Sequence, residues 1–164
     1  MTSESSPRMD QATYEGVAAN TVAALAAFGR AVDDSGLDKP LTELLKIRVS
    51  QINGCAFCLQ YHLNLARKFG VPAVKIDLVA TWREAGVHST RERAALAWAE
   101  SLTRMATQTV DDAVHAALME HFSTREVAHL TAAIANINAW NRIAGALQFA
   151  PLIPAGHGTR GAAA

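Results

Sequence analysis

The segment TREVAHLTAAIANINAWNRIAGAL, residues 124–147, sets the strongest limit on what this chain folds into. Val127, Leu130, Ile134, Ile137 and Ala144 recur at three- and four-residue steps, or multiples of them. That period puts them on one stripe of an α-helix and rules out the two-residue alternation of a half-buried strand. The same spacing runs through the rest of the chain, Ala is abundant, and no convincing strand is found. The expected fold class is all-α.

The chain is divided by helix starts and stops. A first helix is expected over residues 9–32, with Gly16 and Gly29 as weak points, then a loop over residues 33–40. Pro40 suits the first turn of a helix to Ile52, and Asn53 or Gly54 can cap the next, which stops at Gly70. Pro72 opens a helix to about Ala85. Ser89 with Glu92, and Ser123 with Glu126, have capping-box spacing before two further helices. Trp98, Leu102 and Met105 fall on one face of the first of these, and a short helix starts at Val110 or Asp111 between them.

A chain of 164 residues supports one domain with a core of its own, expected over 1–164 with flexible ends at about 1–8 and 151–164. Lys plus Arg and Asp plus Glu are both 15, so the net charge is zero. Nucleic acid and anionic membranes call for a basic surface and are not expected partners. The first residues carry no apolar signal region, and no apolar run approaches a membrane span. A cytoplasmic location is expected, where a cysteine pair serves chemistry more often than stapling. Half of the residues are hydrophobic. With neutral charge and Ala-rich helices, this points to a homo-oligomer that covers apolar surface.

The chemistry concentrates in NGCAFCLQYHLNLARKFG, residues 53–70. Cys55 and Cys58 are spaced i, i+3, and Cys58 and His62 are spaced i, i+4, so the three line one strip at a helix N-terminus. The dipole and unpaired N–H groups there favour a thiolate. The same spacing lets two sulfurs approach for a disulfide after modest movement. Cys58 has the imidazole one turn away, and Cys55 is expected nearer the helix start and the solvent.

Glu43 lies about as far before the Asn53-Gly54 turn as His62 lies after it, roughly 15 and 12 Å along an antiparallel hairpin. The two can face each other, directly or through a water, as a proton relay beside a thiol. Other readings stand beside this one. The cysteines can be inert buried hydrophobes, His62 a satisfied polar residue and Glu43 a solvated first-turn carboxylate. Two Cys, one His and one carboxylate can complete a zinc tetrahedron, although three ligands within two turns is unlike separated ligand pairs. A thioredoxin fold needs strands beside the C-x-x-C helix. His88, His115 and His121 read as histidines at helix ends or polar faces, and His129 as a surface or core residue, with approach to the site as its second reading; Trp140, Asn141 and Arg142 read first as packing and hydrogen bonding between helices or subunits and second as lining of a substrate pocket.

ELLKIRVSQINGCAFCLQYH, with Glu43, Cys55, Cys58 and His62, resembles the alkylhydroperoxidase AhpD-like group of the carboxymuconolactone decarboxylase superfamily. INAWNR in the last helix is similar to a signature of that group, and the resemblance spans residues 14–149. It implies an all-helical fold, trimers or hexamers, and a cofactor-free thiol peroxidase. By the same resemblance Cys58 is the peroxidatic thiol, Cys55 its resolving partner, and Glu43 with His62 the proton relay. The implied partners are a hydroperoxide substrate and a dithiol reductant, a lipoylated or thioredoxin-like protein. Some members carry a His directly before the second cysteine, where this chain has Phe57. A redox-sensing or disulfide-exchange adaptor and the decarboxylase activity of the wider superfamily are the alternatives, and decarboxylases generally lack the cysteine pair.

Overall fold

The structure, a computed structural model, describes residues 6–154. All its regular elements are helical: α1 (Gln11–Val17), α2 (Ala19–Asp33), α3 (Lys39–Asn53), α4 (Ala56–Lys68), α5 (Ala73–Asp77), a 3-10 turn (Val79–Thr81), α6 (Trp82–Ala85), α7 (Thr90–Thr103), α8 (Asp112–Met119) and α9 (Thr124–Leu147). Among the described residues there is no strand, and no helix is long and apolar enough to cross a membrane. The ends expected to be flexible fall largely outside the described residues. Arg8 lies inside them, and its backbone N–H donates to the Leu147 carbonyl at 3.0 Å.

Helix α3 is the centre. It packs against α4, α7 and α9 and buries Leu41, Leu44, Leu45, Ile47 and Val49. Apolar residues on so many sides of one helix require neighbours on all of them. Asp38 caps its start by accepting from the Leu41 N–H, and Pro40 occupies its first turn, where no N–H is needed. Helix α9 supplies the facing wall, and the stripe Val127, Leu130, Ile134, Ile137 and Ala144 is buried as its period requires. Both capping boxes form, Ser89 with Glu92 and Ser123 with Glu126.

The structure revises four local expectations. The first helix is two, broken at Ala18, two residues after Gly16. The helix expected from Pro72 to Ala85 breaks into α5, a 3-10 turn and α6. Ile76, Val79 and Trp82 are all buried at a strict three-residue spacing, and a 3-10 turn aligns i with i+3 more closely than an α-helix does. Met105 lies beyond the end of α7 and is 59% exposed, so it is no part of the Trp98 face. Gly54 ends α3 in the left-handed region at φ 66°, and the cap of α4 is Cys55, not Asn53 or Gly54.

One buried charge ties α3 to α7 and α6. Glu100 accepts from Arg48 Nε at 2.6 Å, Arg83 at 2.7 Å, Arg104 at 3.1 Å and Trp82 Nε1 at 3.1 Å. Burial pushes its pKa up, but the bonds from Arg83, Arg48 and Trp82 outweigh burial and hold it at about 2. Its stabilisation is therefore complete above the ordinary carboxylate range, about pH 4.5, and is lost as pH falls toward 2. Glu100→Ala leaves Arg48 and the Trp82 N–H without this acceptor and is expected to cost about 3 kcal/mol. Urea unfolding at neutral pH measures it, and a variant as stable as the parent would remove Glu100 from this role.

Candidate active site

The α3–α4 turn builds the site. With Gly54 left-handed, the chain reverses and the Cys55 N–H donates to the Ser50 carbonyl at 3.1 Å. Cys55 then stands at the helix start in extended backbone, and its sulfur accepts from the Cys58 N–H at 3.4 Å. The two sulfurs lie 2.8 Å apart as free thiols, hydrogen-bonded and not joined. Both cysteines are buried, so the expectation that Cys55 lies nearer the solvent does not hold. What separates them is the cavity: Cys58 is on its wall and Cys55 is not.

Once one proton has left, two sulfurs in contact share the other. The Cys58 thiol and the N–H groups of Cys58 and Phe57 stabilise a thiolate on Cys55 and hold it down to about 7. Cys58 is pushed up by the same shared hydrogen bond, by burial and by the Cys55 charge, against a lowering contribution from Asn141. The dithiol therefore loses one proton early and the other late, and the monoanion spans a wide pH range.

Glu43 and His62 meet as the equal arms of the hairpin suggested, and directly: Nδ1 lies 2.6 Å from Oε2 of Glu43. Glu43 is 0% exposed and also accepts from Lys46 Nζ at 2.9 Å, with Lys39 Nζ at 3.6 Å. Burial would raise its pKa, but the bond with His62 and the Lys46 ammonium hold it at about 2. An ionised carboxylate at Nδ1 requires the proton on Nδ1, which leaves a lone pair on Nε2. Nε2 has no protein partner among the described residues, and His62 lines the same cavity as Cys58. The arrangement is a base held in one tautomer beside a thiol.

The cavity measures about 400 Å³ and lies between α4, α9 and the first two helices. Phe57, Tyr61, Tyr14, Trp140 and Phe149 form its aromatic wall. Phe57 meets Phe149 edge-on at 5.4 Å and stacks with Tyr61 at 6.4 Å, and Phe149 packs on Tyr14 at 5.7 Å. Glu15, Arg30, Asp33 and Lys46 also line the cavity.

Sequence reading missed Lys46 and the Tyr14–Phe149 wall. Lys46 was visible as the i+3 neighbour of Glu43, whereas nothing local links Tyr14 to Phe149. Among the described residues no group of three or more His, Cys, Asp and Glu is arranged to hold a metal. His88 pairs with the Lys75 carbonyl at 3.1 Å and His115 packs on Trp98, and neither lines the cavity. Trp140 lines the cavity, Arg142 holds Asn138, and Asn141 is buried between helices.

The buried pair has a pH signature. Burial holds His62 below its ordinary 6.5, although Glu43 pulls the other way. Just below pH 6.5 the unfolded chain takes up a proton that the folded chain refuses, so stability falls as pH drops through that window. Glu43 acts lower down, its stabilisation complete above about 4.5 and lost toward 2. His62→Phe is expected to flatten the decline just below pH 6.5. Urea midpoints across roughly pH 5 to 7 read the slope, and parallel slopes in parent and variant would contradict the assignment.

The sequence profile of the Carboxymuconolactone decarboxylase family matches residues 16–101, a little over half of the chain. The uncharacterised protein YdfG of Bacillus subtilis (strain 168) is 38% identical over 109 residues, 66% of this chain and 74% of its own. A solved Agrobacterium tumefaciens protein of unknown function, named as a candidate antioxidant defence protein AhpD, superposes with a TM-score of 0.86 at 34% identity. That match covers 91% of this chain and all of that one. A peroxidase-related protein from Ralstonia eutropha JMP134, described as an alkylhydroperoxidase AhpD core, has a TM-score of 0.74 at 25% identity over 85% of this chain and 74% of its own. A matching profile over the half of the chain that holds Glu43, both cysteines and His62, and a shared all-helical architecture, lead to one assignment: the chain belongs to the carboxymuconolactone decarboxylase family and has its AhpD-like fold.

Proposed function

We propose that the protein is a thiol-dependent peroxidase that reduces hydrogen peroxide or organic hydroperoxides through Cys58 and Cys55. The observation that carries this reading is the dithiol at 2.8 Å with one sulfur on a cavity wall shared with a tautomer-fixed imidazole. The AhpD and peroxidase-related names of the similar structures support it.

The Cys58 thiolate attacks the distal oxygen of ROOH, the O–O bond breaks, and Cys58 becomes a sulfenic acid while RO⁻ leaves. His62, having taken the thiol proton on Nε2, returns it to RO⁻ to release ROH. Cys55 then attacks the sulfenic sulfur, forming the disulfide and expelling water. An external dithiol, such as a lipoylated or thioredoxin-like protein, reduces that disulfide by exchange and is itself oxidised to a disulfide. Glu43 stabilises the imidazolium while it lasts, and no cofactor takes part.

Cys58→Ser is expected to abolish peroxide-dependent dithiol consumption. Cys55→Ser is expected to stop at one sulfenic acid per chain, trapped by a dimedone-type reagent. Glu43→Gln is expected to slow turnover by roughly 10²- to 10⁴-fold, the usual scale for proton transfer. A dimedone adduct on Cys55 in an active Cys58→Ser protein would reverse the roles of the two cysteines. Thiol counts unchanged by peroxide would end the peroxidase reading, and one oxidation without turnover on added dithiol would favour a sensor or adaptor.

The assembly we propose is a homotrimer or a dimer of trimers, the number coming from the family resemblance. Val17 is 75% exposed, and Ala23, Ala24, Ala27, Phe28 and Ala31 form an exposed apolar face on α2. Symmetric association covers such a face without forming fibres. Light scattering behind a sizing column checks it, and a clean 17.5 kDa species at micromolar concentration would exclude it.

A further inference from the structure

The cavity is aromatic over much of its wall and charged at one side. Arg30 and Asp33 are one turn apart on α2 and both line it, as does Lys46 on α3. The charges there form a linked series. Asp33 pairs with Lys39, Lys39 Nζ lies 3.6 Å from Glu43 Oε1, and the same oxygen accepts from Lys46 Nζ at 2.9 Å. Each carboxylate of that series is thus held by a lysine, and Glu43 also by His62.

The cations are not matched in return. Arg30, Lys39 and Lys46 face only Asp33 and Glu43, which leaves one positive charge over while His62 is neutral. Arg30 has no carboxylate within ion-pair distance and no hydrogen-bond acceptor among the described residues, and it lies exposed at the edge of the cavity. A solvated arginine alone would mean little. Lys46 is different, because its side chain is only 16% exposed. An ammonium has three N–H groups, and among the described residues Glu43 takes one of them. A largely buried ammonium with donors to spare, on the wall of a cavity, favours an anion brought in from outside.

We infer that the α2–α3 side of the cavity receives the carboxylate of an amphiphilic monoanion, between the Lys46 ammonium and the Arg30 guanidinium, with its apolar body along the aromatic wall. The excess of one positive charge matches one carboxylate. Glu15, the remaining charged residue of the wall, accepts from Gln11 Nε2 at 2.7 Å on α1 and disfavours an anion on that side, so it helps to set the direction in which the molecule lies. The inference rests on the peroxidase reading for its chemistry: the substrate class becomes an organic hydroperoxide that also carries a carboxylate, its peroxide end at Cys58. A volume of about 400 Å³ holds a short acyl chain or a single aromatic ring with such a group.

The test compares octanoate with 1-octanol by calorimetry, two flexible ligands that differ in charge. Octanoate is expected to bind the parent more tightly, and added salt to erode that advantage. Arg30→Gln is expected to lower the octanoate-to-octanol affinity ratio by about 2- to 5-fold, as for an ion pair at an exposed edge, and Arg30→Lys to restore most of it. Lys46→Gln is expected to lower the ratio by about 10-fold or more, as for a charged hydrogen bond away from water. The ratio separates loss of the anion site from a general loosening, which weakens both ligands alike. Equal affinities in the parent overturn the inference, and so does a ratio unchanged in both Gln variants. Turnover of a hydroperoxyoctanoate and of its methyl ester gives a second ratio, in kcat/KM, expected to fall in Arg30→Gln by a similar factor. A parent that consumes both peroxides without preferring the acid keeps the peroxidase reading and overturns this inference. A parent that consumes neither, yet binds octanoate through Arg30 and Lys46, overturns the peroxidase reading and upholds the anion site.

Discussion

Glu43 is a carboxylate with no exposed surface on the most enclosed helix of the structure. A charge in that place is several kcal/mol unfavourable unless it is bonded on all sides. Three neighbours meet that demand: His62 from α4, and Lys46 and Lys39 from its own helix. The bond to His62 is the only one of these that crosses between helices, and it fixes the register of the hairpin. If α4 slid by one turn against α3, the imidazole would move about 5.4 Å along the axis and leave the carboxylate facing apolar groups. The position of the dithiol at the hairpin turn follows from that register.

In the proposed peroxidase the same bond also serves the chemistry. A histidine held at Nδ1 by an ionised carboxylate keeps one tautomer and offers Nε2 to whatever lies in the cavity. Burial keeps the free imidazole neutral, so it can take a proton, and the adjacent carboxylate stabilises the cation once it forms. Glu43 needs no contact with a substrate for this. Lys46 adds a restraint, since by holding Oε1 it keeps Oε2 directed at the ring.

Much of this was legible because it is local or periodic. The stripes of α3 and α9 follow from spacing, both capping boxes from a Ser with Glu three residues on, and the Glu43–His62 meeting from equal distances to a turn. What was not legible depends on contacts far apart in sequence. Phe149 reaches the site because Gln148 ends α9 at φ 58°, which turns the chain back over α4 and toward Tyr14. No pattern near residue 149 announces that. The choice of Cys55 as helix cap escaped notice for a different reason. Ser, Thr, Asn and Asp are the usual caps, and a thiol is only a weak acceptor, although here the Cys55 sulfur takes the Cys58 N–H. The N-terminal helices joined into one by periodicity are two, because α1 leaves α2 to cross the cavity and buries none of its own residues fully.

Phe57 gives the site a character of its own. A histidine at that place would put a second titratable ring beside the sulfurs, whereas Phe57 packs into an aromatic wall with Tyr61 and Phe149. His62 is the one histidine on the cavity wall among the described residues, with the Tyr61 ring edge-on to it at 5.2 Å. An apolar wall also lowers the local dielectric, which makes an isolated thiolate harder to form and a hydrogen-bonded one more dependent on its donors. At Cys55 such a donor is the Cys58 N–H at the helix start, 3.4 Å from the sulfur.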